Sequence, residues 1–367
     1  MSNLLEKARL IINDVDKKMA ELFVMRMRAA EMVAEHKKAH GLEICDPQRE
    51  AEVIRRGSEA VEDDALRAYY VNFLKSTMAI SRSYQASLIE GMAVAYSGSE
   101  GAFAHIAAER LFPTARKMAY PNFESAYEAV ASGECDAAVL PIENSTYGEV
   151  GQVTDLMFSG SLYVNTVAEM DITHDLVGVK GATLSDIKAV VSHPQALGQC
   201  HEFIKQHGLT EIEYANTALA AKLVSERGDR SLGAIASAEA AEMHGLDVIE
   251  YGINTTKNNT TRFAVLSRSM NRHGSKDMGV HTILLFTVRN EAGALARAID
   301  IIGKHGFNMR TLRSRPMKDL LWQYYFYVEA EGNIGTDEGQ AMLRELSEHC
   351  DRLKAVGTYT KGEGTLK

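Results

Sequence analysis

Apolar and polar residues over 1–90 alternate with a helical rhythm broken by a single proline, whereas from Met92 onward short β-rich runs alternate with helical segments. Steps of four and three from Leu5 place Leu5, Arg9, Ile12, Asp16, Met19, Phe23, Arg26, Ala30, Val33 and Lys37 on one stripe of one helix. A helix over 4–39 would run roughly 50 Å, more than a small monomeric domain needs, so it is expected to pack along a partner chain. Further on, strands are expected over 94–96, 137–141, 188–191 and 262–266. The polar stretch 267–279 reads as a linker. The division that follows is 1–91, 92–267, a linker at 268–279, and 280–362: three unlike domains in series.

Length and composition agree with that division. A chain of 367 residues, 46% hydrophobic, can bury two or three separate cores. A formal net charge of -9 argues against a general nucleic-acid or membrane-surface role, which needs a positive field over much of the surface. Cys45, Cys135, Cys200 and Cys350 lie far apart with no CxxC pair, so neither a disulfide framework nor a thiolate metal site is expected. No stretch approaches the roughly 18 uncharged residues of a membrane span, and the expected location is the cytoplasm.

Three cations, Arg9, Arg26 and Lys37, share the apolar stripe of the first helix. Burying them costs several kcal/mol unless an anion compensates, so they indicate internal salt bridges, solvent-reaching heads or a bound acidic ligand. Asp46 and Glu50 stand one turn apart beside Arg49, in a segment that also reads as an N-cap followed by Pro47. Ser81 and Gln85 stand one turn apart on a later helix. Across 1–90 the combined set Arg9, Arg26, Lys37, Asp46, Arg49, Glu50, Ser81 and Gln85 resembles the all-helical chorismate mutase family. The resemblance implies that Arg26 and Arg9 hold the two substrate carboxylates, completed by Arg49 and Ser81. It gives the ether oxygen to Lys37 and Gln85, and the ring hydroxyl to Glu50 and the backbone near Asp46. A Claisen rearrangement needs no nucleophile or proton transfer, which suits cations without a base. Arg9 and Arg26 are about 25 Å apart along one helix, so Arg9 should serve the partner's site in an intertwined dimer or higher homo-oligomer.

In the middle of the chain, Gly98 to Phe103 turns from a strand into a helix start able to hold an anion, but the glycines do not make a dinucleotide fingerprint and no cofactor or metal is expected. Polar runs at 142–148 and 192–200 sit at carboxyl ends of strands, where open α/β sheets bind ligands. Read alone, Ser192 serves equally as an N-cap, His193 as a surface residue and 255–260 as a polar turn. Together, Glu143-Asn144-Ser145, Ser192-His193-Pro194-Gln195 and Thr261-Arg262-Phe263 look like prephenate dehydratase over 93–267. That family implies two α/β lobes similar to type II periplasmic binding proteins, with crossings near 167–173 and 251–255. By the resemblance Thr261 assists departure of the ring hydroxyl, Arg262 binds or organises a carboxylate, and Asn144, Ser192 and Gln199 orient the substrate.

From His281 the order strand, helix, strand, strand, helix, strand reads as ferredoxin-like. Residues 281–360 resemble the ACT regulatory domain, and Gly293-Ala294-Leu295 with Ser314-Arg315-Pro316 looks like its phenylalanine-binding form. Arg313 departs from that form by reversing the charge of the usual glutamate. The whole then reads as an enzyme of phenylalanine biosynthesis taking chorismate and prephenate, with L-phenylalanine as inhibitor. A cytosolic amino-acid-sensing binding protein and a dehydratase preferring arogenate are the alternatives.

Overall fold

The computed structural model describes residues 4–271, 279–317, 323–360 and 366, and the chain forms two compact units, Met1–Ala93 and Val94–Lys367. No helix among the described residues is long and apolar enough to cross a membrane.

The first unit is three helices: α1 (Leu4–His40), α2 (Pro47–Glu59) and α3 (Asp64–Glu90). No glycine or proline interrupts α1 until Gly41 takes φ 62, and Lys37, Lys38 and His40 favour its negative C-terminal end. Asp46 caps α2 by accepting Arg49 N at 3.0 Å, with Pro47 behind it. Asp63 does the same for α3, which stops at Gly91 with φ 84. Helix α3 packs on both α1 and α2. Among the described residues, only Ala30, Ala34 and Met78 are buried apolar side chains between them, while Leu10, Met25 and Met32 are 70%, 68% and 71% exposed.

The second unit opens with a lobe built from β1 (Ala93–Ser97), α4 (Phe103–Leu111), β2 (Arg116–Tyr120), α5 (Phe123–Ala131), β3 (Ala137–Asn144), β4 (Gly148–Glu149), α6 (Gly151–Ser159) and β5 (Tyr163–Asp171). The chain then crosses at 172–174 into a second lobe. That lobe comprises β6 (Asp175–Gly178), β7 (Ala189–Ser192), α7 (Pro194–Gln199), α8 (His201–His207), β8 (Thr210–Glu213), α9 (Thr217–Arg227), β9 (Leu232–Ala236), α10 (Ala238–Met243) and β10 (Asp247–Glu250). It returns over 251–259 to complete the first sheet with β11 (Thr260–Ser267). The sheets run β2-β1-β3-β11-β5, with β4 beside β3, and β10-β6-β9-β7-β8. Two lobes joined by two crossings are thus present, the first crossing being shorter than expected because residues up to Asp171 stay on β5.

Strands β3 and β11 extend into the polar motifs that the sequence placed beyond strand ends. Thr261 pairs with Asn144 and Arg262 with Glu143, and the register then shifts between Arg262 and Phe263. Main-chain pairing satisfies these backbones, so the motif side chains alternate between the two faces of a sheet instead of crowding one loop.

The C-terminal part contains β12 (Val280–Thr287), α11 (Ala294–Lys304), β13 (Asn308–Pro316), β14 (Tyr324–Glu331), α12 (Asp337–His349) and β15 (Arg352–Thr360). Its sheet order, β13-β14-β12-β15, is the antiparallel ferredoxin-like arrangement. Ser314, Arg315 and Pro316 lie on β13 itself. Trp322 and positions 272–278 of the linker lie outside the described residues. Strand β15 passes so near β5 that a Cβ on Gly357 would stand 2.0 Å from the Val164 carbonyl oxygen, which only glycine tolerates.

Candidate active sites

In the helical unit, a cavity of about 400 Å³ is lined by Arg26, Lys37, Asp46, Arg49, Glu50, Ser81 and Gln85. Seven of the eight residues expected to act here therefore converge; Arg9 is not among the lining residues and is exposed on α1. The α3 pair is no surface pair: Ser81 is 5% and Gln85 8% exposed. Arg26 donates to the Ser81 hydroxyl and, at 3.3 Å, to the Thr77 carbonyl. Burial lowers the Arg26 pKa from its ordinary value. Lys37 Nζ donates to the Ile44 carbonyl at 2.5 Å. Asp46 is held as the α2 cap, and Arg49 turns to Glu52 at 2.7 Å.

One charged lining residue was not singled out from the sequence. Arg82 enters the cavity and pairs with Glu50; it follows Ser81 directly, so one-turn spacing gave no signal. Four cations then face two carboxylates, Asp46 and Glu50, an excess that a dicarboxylate would balance. Gln85 Oε1 is buried with no hydrogen-bond partner among the described residues, which is costly unless something else supplies one.

In the two-lobed unit, Asn144 at the end of β3 organises a buried polar cluster. Its Nδ2 donates to Thr261 Oγ1 at 3.0 Å and to Asn259 Oδ1 at 2.8 Å. Its Oδ1 accepts Thr146 N at 2.9 Å and Tyr147 N at 3.0 Å. The Asn144 amide is thereby fixed in one orientation, and it fixes Thr261. The lobes meet around this cluster: Tyr147 Oη donates to the Gln195 carbonyl at 3.2 Å, and Ser99 Oγ to Asn216 Oδ1 at 3.2 Å. At the helix start after Gly98, Gly101 N is already taken by His105 Nδ1 at 3.2 Å. Gln199, at the end of α7, presents Oε1 to His174 Nε2 at 2.7 Å.

Two expected contacts take other partners. Ser192 is fully buried and its hydroxyl donates to the Ile235 carbonyl at 2.6 Å, so it braces β7 against β9 instead of facing the cleft. The N-cap of α7 is His193, whose Nδ1 accepts Gln195 N at 3.3 Å. Arg262 follows Thr261 on a strand and so points to the opposite face. There it meets Glu329 at 2.8 and 3.0 Å, Glu143 at 3.1 Å and Tyr359 Oη at 2.9 Å. Burial by itself would lower the Arg262 pKa, but the hydrogen bonds and charge of Glu329 outweigh it and raise it. Burial would raise Glu329, and Arg262 with the tyrosine hydroxyls brings it below the ordinary carboxylate range.

The unusual Arg313 joins this network from β13 by pairing with Glu143 and lying 5.8 Å over the Tyr327 ring. Arg315 reaches Asp155 on α6 at 3.0 Å, where Tyr325 Oη also donates at 2.6 Å. Gly293 takes φ 81 before α11, the left-handed conformation that glycine favours, and Ala294 and Leu295 follow it on the first turn. No hydrogen bond among the described residues joins Gly293, Ala294 or Leu295 to Ser314 or Arg315.

A cation-lined pocket among helices and a buried polar cluster where two α/β lobes meet, each rich in hydrogen-bonding groups and neither arranged as a nucleophile and base, fit a two-site enzyme handling small acidic molecules. The chain matches the family models for chorismate mutase type II over 8–86 and prephenate dehydratase over 94–271. It is 30% identical over 366 residues to a bifunctional chorismate mutase/prephenate dehydratase of Neisseria gonorrhoeae, covering 98% of each chain. An arogenate dehydratase/prephenate dehydratase of Arabidopsis thaliana is 32% identical over 280 residues, 72% of this chain and 71% of that one. A prephenate dehydratase from Arthrobacter aurescens, solved in complex with L-Phe, aligns with TM-score 0.69 at 26% identity over 75% of this chain and 93% of that one. The chain belongs to the bifunctional chorismate mutase/prephenate dehydratase family.

Proposed function

We infer that this chain rearranges chorismate to prephenate in its helical unit and converts prephenate to phenylpyruvate in its two-lobed unit, with the chemistry divided between two separate sites. The observation that carries the reading is the convergence of Arg26, Lys37, Glu50, Ser81 and Gln85 on one cavity with a net positive lining and an unpartnered Gln85 oxygen. Chorismate is a dicarboxylate whose rearrangement needs a compact conformer and positive charge near the ether oxygen, both of which such a lining supplies. In the cleft, Thr261 stands as hydroxyl donor to the departing ring oxygen, held by Asn144, with Gln199 and Asn259 as orienting amides. A threonine hydroxyl is a weak acid, so closure of the lobes to exclude water is part of this role. Prephenate is preferred over arogenate because the same chain makes it.

The mutase site is completed by a second copy. The apolar surface of α1 is too large to leave in water, and Arg9 and Arg26 stand too far apart along the helix for one ligand to bridge. A homodimer in which α1 packs along its counterpart covers that surface and brings Arg9 to the partner's cavity. The C-terminal domain is assigned as an ACT domain that receives L-phenylalanine through Gly293-Ala294-Leu295 and Ser314-Arg315, on the strength of its ferredoxin-like sheet and of the relative solved with L-Phe.

Crossed substitutions test the division. Arg26→Ala should remove mutase activity and leave prephenate turnover intact, while Thr261→Val should do the reverse, with a loss of about 10²-fold or more expected of a positioned proton donor. Near-normal dehydratase turnover in Thr261→Val refutes the role given to Thr261.

A further inference from the structure

The two crossings between the lobes are tied to each other by one side chain. Asn254 Oδ1 accepts His174 N at 2.7 Å and Asn254 Nδ2 donates to the Ile172 carbonyl at 3.1 Å. Ile253 N also donates to the His174 carbonyl at 2.9 Å. His174 is thus clamped at the hinge by its own main chain, and its side chain is enclosed, with the residue 2% exposed. The Phe103 ring from the first lobe stands edge-on to it at 5.4 Å. From this seat the imidazole reaches Gln199 Oε1 at 2.7 Å. The Gln199 carbonyl is in turn fixed by Thr255 N at 2.8 Å, again from the second crossing.

Burial without a compensating charge pushes His174 down to about 4, so the ring is neutral at ordinary pH and carries one N–H. An amide oxygen has no proton to offer, so that N–H is on Nε2 and Nδ1 is bare. Nδ1 is indeed buried with no hydrogen-bond partner among the described residues. The tautomer therefore occupies the oxygen of Gln199 and leaves only its NH2 group free. Prephenate presents carboxylate oxygens, which an amide NH2 attracts and an amide oxygen repels.

We propose that His174 is a positioning residue of the dehydratase reaction: mounted on the hinge, it locks the Gln199 side chain so that only its NH2 group can face the substrate. The proposal rests on the reading of Gln199 as a substrate contact. Because both residues are anchored to the crossings, this orientation is kept whether the lobes are apart or together, and no rotation of the amide has to be selected when prephenate arrives.

The test uses the full chain with three substitutions: His174→Phe, His174→Gln and Gln199→Leu. Steady-state turnover of prephenate is measured for each, together with thermal melting and with chorismate rearrangement as an in-chain reference. His174→Phe should raise KM for prephenate about tenfold, the worth of one hydrogen bond to a charged group, with a smaller change in kcat. His174→Gln keeps a side-chain N–H and should recover most of that loss even if both variants melt at a lower temperature. Nitrogen NMR of the wild-type imidazole should show the proton on Nε2. Equal losses in His174→Phe and His174→Gln, no loss in either while Gln199→Leu is impaired, or a proton on Nδ1 would each overturn the proposal. Full activity in Gln199→Leu would instead remove the reading of Gln199, and the proposal with it.

Discussion

Replacing Glu329 with glutamine keeps its shape but leaves an acceptor oxygen for only one of Tyr359 and Tyr327, and strips the charge from a carboxylate whose side chain is only 5% exposed. Arg262, itself 20% exposed, would then keep only Glu143 as a counter-charge, at 3.1 Å. Removing one member of a buried ion pair costs roughly 3–5 kcal/mol because the survivor stays desolvated. The remaining Glu143 places the expected value near the lower end, about 3 kcal/mol. At roughly 2–4 °C per kcal/mol for domains of this size, the transition of the unit from Val94 to Lys367 should fall by about 6–12 °C. Calorimetry of the full chain measures this, and Arg262→Met with Glu329→Met, which removes both charges, should recover much of it. The pH dependence has a fixed sign. Glu329 titrates below its unfolded range, so its contribution is present above the unfolded carboxylate pKa and is lost as pH falls through the folded one. The gap between wild type and Glu329→Gln should therefore narrow in acid. A fall of less than about 2 °C, or a gap that stays constant on acidification, would refute the account of this network.

Three further outcomes are expected. Mixing inactive Arg9→Ala with inactive Arg26→Ala should restore part of the mutase activity, because one of the two sites in a heterodimer would have both arginines intact; no recovery after subunit exchange, verified by native mass spectrometry, rules out shared sites. Arg82→Met should lower mutase kcat/KM for chorismate by about tenfold or more by freeing Glu50 into the cavity, and an unchanged value would make Arg82 a bystander. L-phenylalanine should bind the wild-type chain in equilibrium dialysis and bind less well to Gly293→Val, whose side chain is strained at φ 81; no wild-type binding at millimolar concentration contradicts the effector site.

Much of this could be read along the chain because it depends on local rules. The length of α1 follows from an uninterrupted helical rhythm ending at Gly41, and the order of the C-terminal elements follows from alternating strand and helix patterns. Of the three cations on the apolar stripe, Arg26 and Lys37 line the cavity of the helical unit and Arg9 does not. Facing was harder to read. Thr261 and Arg262 look like one motif in sequence, yet β11 pairs with β3 through both residues and turns them to opposite sides. The family resemblance gives Ser192 a substrate-orienting role, but its hydroxyl donates to a carbonyl of the neighbouring strand. The carboxylate partners of Arg262, Arg313 and Arg315 are 67 to 170 positions away in sequence, beyond any spacing rule. His174 and Asn254 gave no signal for the same reason: their meaning comes from the meeting of two crossings.

The opposed facing of Thr261 and Arg262 changes how mutant collections of this chain should be interpreted. The rung Asn144 with Thr261 is followed directly by the rung Glu143 with Arg262, so a substitution on the side facing the C-terminal sheet is expected to disturb the neighbouring Thr261 rung. A screen scoring only lost prephenate turnover would rank Arg262, Glu143 and Glu329 beside Thr261 and make four residues look alike. Heat sensitivity separates them: variants whose defect fades on cooling belong to the scaffold behind the ladder, and those inactive at every temperature belong to the chemistry in front of it.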